Sequence, residues 1–564
     1  MEPTERRSTV KLTDPITTEI IRNALMSAAQ DMNANLIRSA YSPVIYEMKD
    51  CSVGIFDRDA NLLAQAAGLP IFLGNLEETI RITTAKFGIE NYRDGDVYLL
   101  NDSYLTGTHL GDITVISPIF YQSELVGFTA SRAHWLDVGS KDPSFPVDTT
   151  EIFQEGIRLG PTRVVNAGVP QGDILDILKL NSRTPLVLEG DLNAQIAAAR
   201  TGEARLRTIL ERFGPEIVRA ASLTIMEQSA ELDRAAVAAI PDGVYRAEGY
   251  LDNDGQSDTP VSVRVTITID GDRMTMDLSG SSARVPGNTN CGRAQAISGC
   301  RVAYKMLINP SVAVTGGTFA PLDVIIPSGS IFDARSPAAC QFYFSSLGLL
   351  IDLVAKALAP VFPDQVAAAH FGDSMVLGMT IHGEPYRLFT QANPGGWGAS
   401  LGQDGESALI NNVNGGLKSI PVEISEHIFP VRIHRVGLRV DSGGDGQFRG
   451  GLGIVKEYEV LEPHTYMTSW MDRSKMPAWG LLGGRDGLPP RLVIRHPDGT
   501  TTERLKNNHV PVAVGARITV ETGGGGGYGP PAARSAELVS ADVLEGRVSA
   551  EFASRRDDTA TLNQ

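Results

Sequence analysis

The stretch NDSYLTGTHLGDITVISPIFYQSELVGFTASRAHWLD, Asn101 to Asp137, governs the reading of the whole chain. Within it DITVISPIF and LVGFTASRAHW are strand-like, and YQSE between them is a turn. An antiparallel hairpin centred near Gln122–Ser123 pairs residues whose numbers sum to about 245, which puts His134 opposite Gly111, beside Asp112 and near His109. Directly opposed residues sit about 4.5–5.5 Å apart, so two histidines distant in sequence meet at the mouth of one hairpin. A slip of one residue would turn His134 to the other face.

This chain of 564 residues has nine histidines, so two of them beside an aspartate invite a chemical reading. Imidazole nitrogen and carboxylate oxygen together suit zinc, manganese or iron, and the lack of thiolate argues against a structural zinc site. His109, Asp112 and His134 form the best constellation. Asp137 in HWLD, and Glu47 or Asp50 in YEMKDCS, could complete the shell or hold a ligand imidazole. The plainer alternative is a set of loop-capping polar groups.

Working outward, the length predicts three or four domains at about 150 residues each. Apolar residues at 42% suffice for a large core, and a net charge of −16 argues against nucleic acid or an anionic membrane as partner. No apolar run approaches the roughly 20 residues that cross a bilayer. MEPTERRSTVKLTDP has no apolar segment behind its charges, so no secretory signal is expected. Cys51, Cys291, Cys300 and Cys340 form no CxxC pair and read as reduced thiols of a cytoplasmic protein.

The pattern is α+β and multi-domain. Residues 1–186 read as an α+β metal-binding region. Asp14 caps a helix that starts at Pro15, and Ile16, Ile20, Ile21, Ala24, Leu25, Ala28, Met32, Leu36 and Ile37 recur at helical spacing. CSVGIFDRDANLLAQAA then reads as a hairpin about Arg58–Asn61. Residues 187–240 are helical, with breaks at Gly202 and Gly214. Residues 241–335 are β-rich, with an Asp270–Gly271 hairpin turn. Residues 336–430 are mixed and hold the buried helix FYFSSLGLLIDLVAKALAPVF; residues 431–533 are β-rich, and 534–564 form a peripheral tail.

Other motifs carry less. SGGDGQFRGGLG and GGGGGYG could bare amides to an anion, but such runs are more often tight turns. There is no GxxxxGK[ST], no GxGxxG between a clear strand and helix, and no GxSxG, so neither a nucleotide site nor a serine elbow is expected in this chain. His370 in AAAHFGDS and His427 in EISEHIFP read as satisfied core or interface histidines.

DPITTEIIRNAL, YEMKDCSVGIFDRDANLLAQ, GDVYLLNDSYLTGTHLGDITVISPIF, SRAHWLDVGS, EIFQEGIRLGP, DSGGDGQFRGGLGIVKEY, WGLLGG and GGGGGYGPP follow in that order along the chain. Together they resemble the hydantoinase B family, from about residue 13 to 531. That family takes in B subunits of ATP-dependent hydantoinases and lactamases, the C-terminal half of 5-oxoprolinase, and the related large subunits of acetone and acetophenone carboxylases. The resemblance implies a hydantoinase A-type partner that binds ATP and magnesium, in a heterotetramer or larger assembly. It implies a divalent metal on His109, Asp112 and His134, with Glu47 as fourth ligand and Asp50 close by. Phe72 stands in IFLGN where many relatives have a histidine, which makes the neighbouring pocket more apolar.

Two activities follow from the resemblance. In a cyclic-amide hydrolase, the partner phosphorylates the amide oxygen, and the metal site delivers water, with Asp137 or Asp50 as the proton acceptor. In a ketone carboxylase of the acetone or acetophenone type, the same ligands serve an enolate. Chain length favours the hydrolase, since acetone carboxylase large subunits are longer. A third reading, from another class, is a non-catalytic scaffold.

Overall fold

The computed structural model describes residues 14–554 apart from residue 384. Residues 1–13, where the sequence predicts no secretory signal, and residues 555–564 of the predicted tail lie outside the described residues. The fold is α+β, with helices and four sheets among the described residues.

The N-terminal helix spans Pro15–Ser39, and the Asp14 carboxylate accepts the Thr17 N–H at 3.0 Å. This satisfies one of the amides that a helix start leaves unpaired, and Pro15 fits the first turn because it has no N–H to lose. Ile21, Leu25, Met32 and Leu36 form its buried stripe. Ile16 and Ile20, expected in that stripe, are exposed. At 3.6 residues per turn they lie about 170° and 130° around the helix from its centre. The stripe packs on the strands β1 (Cys51–Asp57) and β2 (Leu62–Gln65) and on a long helix, Pro185–Phe213.

That long helix runs unbroken through Gly202, where the sequence suggests a break. A Cβ at Gly202 would lie 2.3 Å from Met32 Sδ, so the missing side chain lets the two helices close on one another. Gly214, at φ +81°, does end the helix, and Pro215–Val237 follows.

The first sheet adds β3 (Val97–Leu100), β4 (Asp112–Tyr121), β5 (Glu124–His134), β6 (Thr162–Asn166) and β7 (Val169–Pro170) in the order β2-β1-β5-β4-β3-β6-β7. Every pairing in it is antiparallel, and the predicted β4–β5 and β1–β2 hairpins are both present. The second sheet, β11-β10-β9-β8, contains β8 (Gly243–Leu251), β9 (Val261–Asp270), β10 (Arg273–Asp277) and β11 (Leu322–Ile325). Its apolar face meets the helix Tyr343–Leu358, whose own burial on nearly every side matches its continuous apolar sequence.

The C-terminal part pairs two further sheets. One orders β13 (Arg387–Ala392), β12 (Val376–Ile381), β16 (Thr465–Trp470) and β19 (Asn507–Val512). The other orders β14 (Val431–Leu438), β15 (Ile454–Val460), β20 (Arg517–Glu521), β17 (Arg491–Arg495) and β18 (Thr501–Glu503). Phe389, Tyr458, Met467 and Ile518 fill the core that they share. The helix Ala536–Leu544 then docks through Asp542, which is bound by Arg534 at 2.8 Å and Arg449 at 3.2 Å.

The glycine runs are not tight turns. Gly525 N–H donates to the Gly451 carbonyl at 3.0 Å, Gly444 N–H to Gly525 at 2.8 Å, and Gly526 N–H to Ala369 at 2.9 Å. A Cβ on Gly524 would lie 1.8 Å from Ser442 O, and one on Gly525 would lie 1.9 Å from Trp397 O. Extended segments therefore lie closer together than any side chain permits, and these amides are spent on one another rather than bared to an anion. Among the described residues, no helix is long and apolar enough to cross a membrane.

Candidate metal centre

β4 opens at Asp112 and β5 closes at His134, and the two residues are direct partners in the ladder. The turn at Gln122–Ser123 gives Phe120↔Leu125, a sum one short of that pairing. A bulge leaves Val126 unpaired between Leu125 and Gly127 and shifts the register by one. His134 thus faces Asp112 instead of Gly111. Gly111 is needed for another reason, since a Cβ there would lie 2.5 Å from the His134 ring.

His109 reaches the same point from a loop. The short helix Ser103–Thr106 is capped by Asp102 and ends at left-handed Gly107 (φ +84°). Asn101 holds the loop from below, donating to the Leu110 carbonyl at 2.7 Å and accepting from Leu159 N–H at 2.7 Å. Asp112 N–H closes a turn onto the His109 carbonyl.

Three donor atoms then converge. His109 Nε2 lies 2.9 Å from Asp112 Oδ1 and 3.1 Å from His134 Nδ1, and His134 Nδ1 lies 2.9 Å from Asp112 Oδ1. Adjacent ligands of one ion at about 2.0–2.2 Å are about 3.0–3.4 Å apart, so this triangle has nearly the size of one face of a coordination shell. His109 Nδ1–H donates to the Gln341 carbonyl at 3.0 Å, which leaves the Nε2 lone pair turned inward. Tyr343 O–H donates to Asp112 Oδ2 at 3.2 Å, leaving Oδ1 for the triangle.

All three residues are buried. Burial would raise the Asp112 carboxyl, but the charge and hydrogen bonds of His109 and His134 outweigh it and hold it well below its ordinary value. Burial also lowers both imidazoles. Asp112 more than restores His109, while His134, facing the charge of His109, stays low.

Asp50 lines the same cavity of about 40 Å³. Its Oδ1 is buried without a hydrogen-bond partner, and burial together with repulsion from Asp112 pushes its carboxyl well above the usual range. A carboxylate oxygen orphaned beside two imidazoles and a second carboxylate fits a cation. The cavity wall is aromatic: Phe145 stacks on His134 (5.3 Å, 20°), Tyr343 meets His109 edge-on (5.4 Å, 88°), and Phe72 and Phe344 close the rest. Ser374 and Asn414 are polar groups on the far side.

Two of the expected residues lie elsewhere. Glu47 ends the short helix Pro43–Tyr46, half-buried, and does not line the cavity. Lys49, at φ +60°, reverses the chain between Glu47 and Asp50, so Asp50 rather than Glu47 turns inward. Asp137 is spoken for: Arg183 Nη1 donates to its Oδ1 at 2.7 Å and the Arg183 backbone N–H to its Oδ2 at 2.5 Å. A carboxylate so bound has no reason to take a proton from substrate. Tyr343, Gln341, Phe145 and Glu155 are not legible as site residues in the sequence. Buried Glu155, raised to about 7 by burial, accepts the Cys340 and Gln341 N–H groups at 2.9 Å and so fixes the loop that orients His109.

Comparison with known proteins identifies the family. The family described as hydantoinase B/oxoprolinase matches residues 14–531. The B subunit of a putative D-/L-hydantoinase from Pseudomonas sp. (strain NS671) is 32% identical over 566 residues, covering 96% of this chain and 95% of that protein. The beta subunit of the caprolactamase from Pseudomonas jessenii is 31% identical over 554 residues, covering 96% and 95%. The crystal structure of that ATP-dependent caprolactamase superposes with a TM-score of 0.90 at 30% identity, covering 96% of this chain and 95% of that one. A nucleotide-free acetone carboxylase shares the fold, with a TM-score of 0.88 at 20% identity over 96% of this chain and 79% of that one. The chain belongs to the hydantoinase B/oxoprolinase family.

Proposed function

We propose that this chain is the metal-holding B-type component of an ATP-dependent hydrolase of cyclic amides such as hydantoins, lactams or oxoproline-like rings. The observation that carries the reading is the convergence of His109 Nε2, Asp112 Oδ1 and His134 Nδ1 on one point, with the orphaned Asp50 Oδ1 in the same cavity. Kinship with components of a hydantoinase and of a caprolactamase supports the substrate class and an A-type partner that supplies ATP chemistry.

A cyclic amide resists attack because resonance holds its carbonyl, and phosphorylation of the amide oxygen by the partner removes that resistance. A divalent cation, zinc, manganese or iron, bound at the triangle would supply Lewis acidity and lower the pKa of water towards about 7. The chain's own residues do the rest. Gln341 fixes the His109 tautomer, and Tyr343 orients Asp112. Asp50 either joins the ligands or takes the proton released by water. Phe72, Phe145 and Phe344 exclude bulk solvent, and the Ser374 hydroxyl, which already accepts from Asn411 at 3.0 Å and Asn414 at 2.8 Å, keeps its proton for a guest.

The test is metal analysis of the purified chain, followed by turnover of hydantoin and lactam panels with ATP and the A-type partner. Stoichiometric metal and ATP-dependent ring opening are expected. Absence of metal would favour the scaffold, and product formation that requires bicarbonate would favour a carboxylase.

A further inference from the structure

His370 and Asp352 form a second buried imidazole–carboxylate pair, away from the triangle. His370 Nδ1 lies 2.9 and 2.8 Å from the two Asp352 oxygens. Arg473 Nη1 donates to the same carboxylate at 3.3 Å, and Asn412 Nδ2 donates to it at 3.1 Å and to the Gly348 carbonyl at 3.2 Å. Asp352 sits on the helix Tyr343–Leu358 that also carries Tyr343, about 13 Å along its axis from that residue.

Two acceptors in this cluster have no partner. Nδ1 faces the two Asp352 oxygens as donor, and in that tautomer Nε2 is the ring's acceptor, buried and unbonded. Asn412 Nδ2 also lies 3.1 Å from His370 Nδ1, but two of its three polar neighbours, the Gly348 carbonyl and the Asp352 carboxylate, are acceptors and fix the amide orientation, so Asn412 Oδ1 is the atom left buried and unbonded. His370 is 2% exposed and Asn412 3%. Both line a cavity of about 100 Å³ whose other walls include Ala355, Ala368 and Trp397. This cavity shares Met306, Trp397 and Asn412 as walls with a larger apolar cavity of about 420 Å³.

We propose that this cluster is a second small-molecule site, for a ligand with an N–H donor head of the amide or ureido kind and an apolar body. The acceptors take the N–H groups, and the apolar body lies along the walls of the larger cavity. A buried acceptor without a donor costs more than a made hydrogen bond gains, so discrimination against a ligand lacking N–H is strong. The inference does not depend on the metal centre.

The test is calorimetric titration of the purified full-length chain with hexanamide, and with N,N-dimethylhexanamide as the matched probe without donors. Hexanamide should bind, and the dimethyl compound should bind about ten-fold more weakly or less. The His109→Ala variant should bind hexanamide as the parent does, which separates this site from the metal centre. Ala355→Leu, which fills the cavity from the helix, should abolish the heat while leaving metal content unchanged. No heat with hexanamide would mean that solvent alone meets these acceptors, and the proposal would fall. Equal affinity for the two probes, or unchanged binding by Ala355→Leu, would also overturn it.

Discussion

Asp112 and His134 face one another across the β4–β5 ladder because Val126 is looped out between Leu125 and Gly127. The bulge sits near the turn and takes up the one extra residue of β5, so the register runs unshifted from Ile119↔Gly127 to the mouth of the hairpin. Deleting Val126 leaves the pairing beyond it intact, so that variant should keep its metal. Deleting Thr129, on the far side of the bulge, moves His134 by one residue and onto the other face of the sheet. Metal content of folded protein, checked by circular dichroism, distinguishes the two deletions.

His109→Ala and His134→Ala should each abolish metal binding and turnover while leaving the fold in place, because each removes one corner of the triangle. Tyr343→Phe removes only the hydrogen bond to Asp112 Oδ2, and a weakening of metal affinity of about ten-fold is expected. Glu47→Gln should change neither. Competition against a chromophoric chelator measures all four.

Asp137→Asn separates a structural carboxylate from a catalytic one. It breaks the ion pair with Arg183, whose side chain is 30% exposed, so a loss of about 1–3 kcal/mol is expected, less than for a fully buried pair. The rate per folded, metal-loaded molecule should be unchanged. A fall in kcat of a hundred-fold or so, as loss of a general base gives, would restore Asp137 to the chemistry.

Asp191 carries a prediction about pH. Its Oδ1 accepts the Tyr41 N–H at 2.8 Å and the Ser42 N–H at 3.0 Å, while Oδ2 is buried and unbonded. Burial raises its carboxyl from 3.8 to about 6. The folded protein therefore holds this proton more tightly than the unfolded chain does, and stability falls as pH rises from about 4 to about 6. Asp191→Asn keeps the two bonds and ends the penalty. It should gain about 3 kcal/mol above pH 6 and nothing near pH 4, read as a pH-dependent rise in Tm.

The convergence of His109, Asp112 and His134 is legible in the sequence because Asp112 and His134 close the mouth of one hairpin and His109 lies in the loop just before it, where turn chemistry and strand alternation set the geometry. The N-terminal helix is legible through Asp14 and Pro15 for the same local reason. The bulge at Val126 is not, since alternation says nothing of a single extra residue until the ladder is built. Choosing Asp50 over Glu47 requires the left-handed backbone of Lys49, which no residue preference signals at a lysine. Tyr343 and Gln341 lie 231 and 232 positions from the residues that they hold, and one sequence carries no record of such a contact. Gly202 misleads because glycine usually disrupts a helix, and here close packing against Met32 outweighs that preference.

The interlocked glycine segments tie four separated parts of the chain together through their backbones. Gly396, Gly451 and Arg485 exchange hydrogen bonds with Gly523, Gly525 and Gly527, the latter three near the end of the described chain. During synthesis the earlier segments wait with unpaired backbone groups until the ribosome has released residues 523–527. A product cut short just before that run would lose residues 523–564 and, with them, the keystone of its C-terminal half, leaving a nascent chain for proteases rather than a shortened but folded protein.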